Sequence, residues 1–400
     1  MAKALLLENI NPVGAQLLQR AGLEVTAMAG ALDEAELIEA LDGVAVLGIR
    51  SKTSVTKKVL AARPELETIG AYCIGTNQIA LNDASRLGVA VFNAPYSNTR
   101  SVVELAVAEI IALTRRLTER DQSLHQGVWR KSSVGSHEVR GRTLGIVGYG
   151  AIGSQLSVLA EALGMSVVFF DIEEKLSLGN ARRLDSMMEL VELADVVSVH
   201  VDGRAANTGL FGTAQFAAMR EGAVLINLSR GHVVDLGALR LAIESGHLAG
   251  AALDVFPSEP KATGDPFASE LRGLPNVILT PHIGGSTEEA QVSIGHFVSG
   301  KLRDFVTHGA TAMSVNLPSL TLEQAGGAAC RLVHIHHNIP GVLASINQAM
   351  AEHHVNIVGQ VLGTRNELGY ALTDVGSTIK PEVLTALANR PETIRLRVLD

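Results

Sequence analysis

A strand-like run, Thr143–Val147, leads without a break into Gly148-Tyr149-Gly150-Ala151-Ile152-Gly153. A helical pattern follows over Ser154–Leu163, and then a second apolar run, Ser166–Phe170, ends on Asp171. Glycines in that setting leave little freedom, because they fit the turn between the first strand of a βαβ unit and its helix. Gly148 allows the tight turn, Gly150 lets the backbone approach a pyrophosphate, and Gly153 lets helix and strand pack closely. Ala151 and Ile152 open the helix, whose N-terminus offers free N–H groups and a dipole that favours an anion. Asp171 stands eighteen residues beyond Gly153, where the acid that binds ribose hydroxyls is expected. Ile172, Glu173 and Glu174 follow it, and no arginine is there for a 2′-phosphate, so NAD is expected rather than NADP.

The rest of the chain extends this pattern. Upstream, Lys3–Glu8, Val44–Ile49, Glu67–Ala71 and Val89–Phe92 read as buried strands, with helical stretches near Pro12–Ala21, Asp33–Ala40, Thr56–Ala62 and Asn82–Leu87. Ser101 and Glu104 read as a capping box opening a long helix from Val102 to Leu117. Downstream of Asp171, strands are expected at Val196–His200, Val224–Leu228, Gly250–Asp254 and Val277–Thr280. After a joint at Gly326-Gly327 the order is βαββαβ, ending in the alternating strand Thr393–Leu399. The fold class expected is therefore α/β: two Rossmann-like, doubly wound parallel-sheet domains and a C-terminal ferredoxin-like domain.

A net charge of −8 argues against a polybasic surface for nucleic acid or membrane. Cys73 and Cys330 are the only cysteines, so neither a disulfide framework nor a zinc array is expected, and the usage suits a reducing cytoplasm. The short apolar stretch before Glu8 and Asn9 predicts no secretory signal. His334, His336 and His337 form a histidine cluster, but only two share a strand face and no cysteine or carboxylate pair completes a coordination sphere, so no metal is expected.

Polar groups gather at the ends of three later strands. Leu228-Ser229-Arg230 follows one, Asp254 and Glu259 follow another, and His282-Ile283-Gly284-Gly285 follows a third. Ligands of open parallel sheets bind at these carboxyl ends. An arginine can hold a carboxylate in two parallel hydrogen bonds, and a histidine beside a glutamate can shuttle an alcohol proton. Each residue alone has a duller reading as a surface charge or loop acid. Together, downstream of the glycine motif, they point to catalysis.

The segments GYGAIG, LINLSRGHVVD, GAALDVFPSEP and LTPHIGGST resemble the D-isomer-specific 2-hydroxyacid dehydrogenase family. The resemblance implies that Arg230 binds the substrate carboxylate, that His282 is the acid/base and that Glu259 is its partner. It puts Ala151, Ile152 and Asp171 on the adenosine side of NAD, and Leu228, Ser229, Arg230, Asp254 and His282 to Gly285 on the nicotinamide side. IGAYCIGTNQI, FNAPYSNTRSVVELA and HQGVWRK are similar to members that oxidise 3-phospho-D-glycerate to 3-phosphohydroxypyruvate, the first step of L-serine biosynthesis. For such a substrate the resemblance implies contacts from Arg50, Ser51 and Asn98, with Lys131 approaching from a neighbouring subunit. Lys52 stands where some relatives carry arginine.

The C-terminal part resembles an ACT regulatory domain, which implies that His336, Asn338 and Asn356 bind L-serine as a feedback inhibitor. The resemblance further implies a homotetramer and a split layout: a substrate domain at 1–97 and 284–325, an NAD domain at 98–283 and the regulatory domain at 326–400. Reduction of 2-oxoglutarate to 2-hydroxyglutarate is a further activity it implies. The alternatives are a dehydrogenase for another D-2-hydroxy acid and a non-enzymatic NAD-sensing regulator.

Overall fold

The computed structural model describes residues 2–260, 264–323, 326 and 328–399. Its strands are β1 Lys3–Leu6, β2 Glu24–Ala27, β3 Val44–Ile49, β4 Thr68–Ala71, β5 Ala90–Phe92, β6 Thr143–Val147, β7 Ser166–Phe170 and β8 Arg182–Arg183. They continue as β9 Val196–Val199, β10 Ala223–Asn227, β11 Leu248–Leu253, β12 Val277–Leu279, β13 Cys330–His337, β14 Ile357–Arg365, β15 Leu368–Val375 and β16 Thr393–Leu399. Contacts divide the chain into two compact units, 1–97 with 291–400, and 98–290.

The 98–290 unit holds a seven-stranded sheet in the order β12-β11-β10-β9-β6-β7-β8. Every pairing in it is parallel, as strands joined by helical crossovers must be. Chain order reverses between β6 and β9, so the crevice beyond their carboxyl ends is where a ligand is expected. Val103, Ile110, Ile146, Leu156 and Ile226 pack one face of the sheet, and Leu190, Val197, Phe216, Leu225 and Leu239 pack the other.

The other unit contains two sheets. The first is parallel, in the order β2-β1-β3-β4-β5, with its own reversal between β1 and β3. The second is antiparallel, in the order β14-β15-β13-β16, and with helices Val342–Glu352 and Pro381–Ala388 it makes the expected βαββαβ motif. Alternate residues of β13 serve two cores: Leu332 faces the two helices, while Val333 and Ile335 join Phe92, Val298, Leu302 and Phe305 beside the parallel sheet. Gly326 lies in an exposed turn, and Gly327 of the expected joint lies outside the described residues.

Two local expectations are corrected. Ser101 and Glu104 do not cap a helix. The helix is Thr99–Thr114 and starts earlier, with Ser101 Oγ 2.8 Å from Thr287 Oγ1 and Glu104 paired with Arg100 one turn back. The far end also differs, because Arg116 turns left-handed (φ 53°) and a separate helix, Leu117–His125, begins there. On the charged face of β16, Arg397 reaches Glu67 at 2.9 Å, and Arg395 donates to the carbonyls of Leu66 and Pro64.

Candidate active site

The glycine turn follows β6. Gly148 has φ 94°, and a Cβ there would sit 2.6 Å from the carbonyl oxygen of His200. A Cβ on Gly153 would collide with the carbonyl oxygen of Gly148. Both positions therefore require glycine, one for its backbone angle and both for space. Helix Ala151–Ala162 starts at Gly150 with no side chain capping it, which leaves its first N–H groups for an anion. Asp171 follows β7 and closes the turn, accepting from the N–H of Tyr149 (2.7 Å) and of Glu173 (2.9 Å). A carboxylate has about four acceptor positions, so it retains capacity for ribose hydroxyls. Glycine cradle, open helix end and acid together fit a dinucleotide.

Sequence reasoning passed over His200, which lies under this cradle at the end of β9. Burial pushes its pKa down to about 4, and its Nε2 lies 2.8 Å from Ser198 Oγ, so the ring stays neutral.

The next loop follows β10, where buried Asn227 organises it. Its Oδ1 accepts from the N–H (3.1 Å) and hydroxyl (2.7 Å) of Ser229, and its Nδ2 donates to Arg230 O (3.1 Å). The backbone that carries Arg230 is thereby fixed, and the guanidinium donates to Ser229 O at 2.7 Å.

Asp254, buried at the end of β11, does the same for the histidine loop. It accepts from Thr280 Oγ1 (2.6 Å), Ile283 N (2.8 Å) and Gly284 N (2.7 Å). This grip holds His282 in a left-handed conformation, φ 54°, a strained state of a kind that recurs at functional sites. Asn98 packs directly on Gly285, and its buried Oδ1 has no hydrogen-bond partner among the described residues.

His282 Nδ1 lies 2.8 Å from Glu259 Oε2, and the other oxygen of Glu259 accepts from Phe256 N at 3.1 Å. The hydrogen bond to Glu259 holds the His282 pKa above its usual value. Burial opposes this, the charges of Glu259 and Asp254 support it, and Arg230 opposes it. For Glu259 burial acts upward but is outweighed by the hydrogen bonds from His282 and Phe256 and by the charges of His282 and Arg230. Its carboxyl ends below the ordinary range. Because a carboxylate only accepts, Nδ1 carries the proton and Nε2 is the nitrogen left for chemistry.

Arg230, Glu259, His282, Asp254 and Asn98 thus come together with the glycine turn in the 98–290 unit. Lys131 belongs to the same unit but stands in an exposed irregular stretch. Arg50 and Ser51 follow β3 in the other unit, Arg50 half-buried and Ser51 exposed. In the antiparallel sheet His336 is buried, and its Nδ1–H donates to the carbonyl of His337 (2.8 Å). Asn338 and Asn356 are exposed, and Asn338 Nδ2 donates to the carbonyl of Asn366 at 3.1 Å. Glu109, which sequence reasoning did not single out, is a buried acid on helix Thr99–Thr114. Both its oxygens lack a partner among the described residues, and burial, aided by the charge of Asp254, raises its pKa to about 8.

This fold and site define a dinucleotide-dependent oxidoreductase. Residues 107–284 match the NAD-binding domain of the D-isomer specific 2-hydroxyacid dehydrogenases. The chain is 50% identical to the D-3-phosphoglycerate dehydrogenase of Haemophilus influenzae over 92% of its own length and 90% of that protein's. It is 46% identical to the Dictyostelium discoideum protein of the same name, over 99% and 97% respectively. Among solved structures, D-lactate dehydrogenase from Aquifex aeolicus, complexed with NAD and lactic acid, superposes with a TM-score of 0.65. It is 25% identical and covers 76% of this chain and 95% of its own. The chain belongs to the D-isomer specific 2-hydroxyacid dehydrogenase family, on the D-3-phosphoglycerate dehydrogenase branch. It is an NAD-dependent oxidoreductase. Among the described residues, no helix is long and apolar enough to cross a membrane.

Proposed function

We propose that this enzyme oxidises 3-phospho-D-glycerate to 3-phosphohydroxypyruvate, with Arg230, Glu259 and His282 as its catalytic group. The observation that carries this reading is the His282–Glu259 pair at 2.8 Å, with the charge of Arg230 close enough to act on both. The names and identities of the relatives support the phosphorylated substrate.

Arg230 holds the substrate carboxylate through paired hydrogen bonds. His282 Nε2 takes the proton of the C2 hydroxyl as the carbonyl forms, and Glu259 stabilises the resulting imidazolium. NAD, when bound, supplies the hydride acceptor, while the Gly148–Gly153 turn and Asp171 hold it and Asp254 keeps the nicotinamide-side loop in place. In reduction, the imidazolium returns the proton. Arg50, Ser51, Asn98 and a neighbouring subunit's Lys131 hold the rest of the substrate, so the working form is an oligomer, a homotetramer.

The C-terminal ferredoxin-like part is an ACT regulatory domain that binds L-serine at His336, Asn338 and Asn356 and lowers activity. The enzyme works in the cytoplasm and also reduces 2-oxoglutarate. The test is to follow reduced-cofactor absorbance with NAD and a panel of 2-hydroxy acids. Preference for 3-phosphoglycerate, inhibited by millimolar serine, supports the reading. Equal rates with unphosphorylated acids would overturn the substrate assignment.

A further inference from the structure

At the reversal point of the five-stranded sheet, where β1 and β3 run side by side, one side chain gathers three N–H groups of the next loop. Glu8, two residues past the end of β1, is buried. Its Oε1 accepts from the N–H of Arg50 (3.1 Å) and of Thr53 (2.8 Å), and its Oε2 accepts from the N–H of Lys52 (2.9 Å). Glu8 and Asn9 are both left-handed, with φ of 63° and 55°, and neither is glycine. Their N–H groups bond to the carbonyls of Gly30 (3.0 Å) and Met28 (3.2 Å), which holds this unusual backbone. Gln78 secures the loop from the far side by donating to Arg50 O at 2.6 Å.

Successive backbone N–H groups converging at a strand's carboxyl end form an anion-binding concavity. Here that concavity is filled by the protein's own carboxylate. The loop's N–H groups are turned inward, and its side chains are left to meet a ligand: Arg50 half-buried, Ser51 and Lys52 exposed. Two left-handed residues, one of them the buried acid itself, serve one four-residue loop and mark a geometry that the surrounding structure over-determines.

We propose that Glu8 is the positioning residue of the substrate loop, fixing the turn from which Arg50 and Ser51 contact the phosphorylated substrate. This rests on the assignment of Arg50 and Ser51 to substrate binding made above. Glu8 touches neither substrate nor cofactor, and its effect is confined to how the substrate is held.

The experiment is steady-state kinetics of Glu8→Gln, Glu8→Asp and Arg50→Met in the full-length enzyme. Gln cannot accept from three N–H groups on both sides, so Glu8→Gln is expected to raise KM for 3-phosphoglycerate by about tenfold or more, with kcat within about twofold and KM for NAD unchanged. A purely structural role would instead lower kcat, or the yield of active enzyme, with KM intact, and that result overturns the proposal. If Glu8→Gln fails to fold, Glu8→Asp keeps the charge but withdraws it by one methylene. Its KM is expected to rise, and an unchanged KM overturns the proposal. Arg50→Met separates the two levels of the argument. If it raises KM while both Glu8 variants do not, Glu8 is not the positioning residue. If neither Arg50→Met nor the Glu8 variants change KM, the loop is not a substrate loop and both readings fall.

Discussion

Glu259 holds His282 by one ring nitrogen only, Oε2 to Nδ1 at 2.8 Å, and so leaves Nε2 as the proton-transfer atom. A positioned acid/base of this kind contributes roughly 10²–10⁴-fold to rate. His282→Asn is expected to lower kcat by that order while NAD binding, measured by fluorescence titration, stays near wild type. Near-normal turnover would remove His282 from the mechanism.

Replacing Glu259 tests the same pair from the other side. The carboxylate raises the His282 pKa, chiefly through the hydrogen bond and then through its charge. Glu259→Gln is expected to lower that pKa. Oxidation needs the neutral ring, so its rising limb in a pH–rate profile should move to lower pH. Reduction needs the imidazolium, so its falling limb should move the same way. A profile that keeps both limbs in place would mean that another group sets them.

Asp171 has two tasks, because the oxygen that accepts from Tyr149 N also ties the glycine turn to the end of β7. Asp171→Ser with Ile172→Arg is expected to narrow the preference for NAD over NADP, and to weaken NAD by about tenfold through the lost charged hydrogen bonds. The ratio of kcat/KM for the two cofactors measures the first effect. An unchanged ratio would show that the acid does not face the ribose.

Glu109 gives a pH dependence of stability. Its folded pKa of about 8 lies above the ordinary 4.5, so the stability it contributes is whole below about 4.5 and is lost as pH rises through about 8. Above that point the folded protein holds a buried charge next to Asp254, at a cost on the order of a few kcal/mol. Glu109→Gln stays neutral throughout. It is expected to melt close to wild type at pH 5 and clearly above it at pH 9. Parallel melting curves across that range would count against a buried, protonated Glu109.

The parts of this molecule that sequence reads well are those whose residue pattern is dictated locally. The strand, glycine turn and helix from Thr143 to Asp171 fall as expected, because a tight turn and a close helix each demand glycine. The edge strands β2 and β8 went unread, since Glu24–Ala27 and Arg182–Arg183 are mostly exposed and carry no apolar run. Ser101 and Glu104 carry the capping spacing, but distant Thr287 and nearby Arg100 take their side chains. Glu8 and Glu109 were invisible for a related reason: the loop N–H groups that Glu8 gathers and the burial that surrounds Glu109 exist only once the sheets have folded. The alternation along β16 sets Arg395 and Arg397 on one face, but only the fold shows that they reach Leu66, Pro64 and Glu67.

Arg331 and Asp374 make the same point in the interior, and they supply the last test. Both are buried, facing one another across β13 and β15, with Nε to Oδ1 at 2.6 Å and Nη2 to Oδ2 at 2.9 Å. The remaining guanidinium nitrogen, Nη1, donates to the carbonyl of His308 at 2.9 Å, at the end of helix Glu288–His308. The pair therefore joins the antiparallel sheet to the helix that packs on the parallel one. Removing one partner leaves a charge in a dry site, whereas removing both leaves none, so the two changes should differ in size. Asp374→Ala is expected to destabilise the 1–97 and 291–400 unit by about 3–5 kcal/mol, and Arg331→Met with Asp374→Leu by much less. Chemical denaturation followed by the sheet signal compares their midpoints. A double variant as unstable as the single one would show that the geometry at His308, rather than the charge balance, is what the pair maintains.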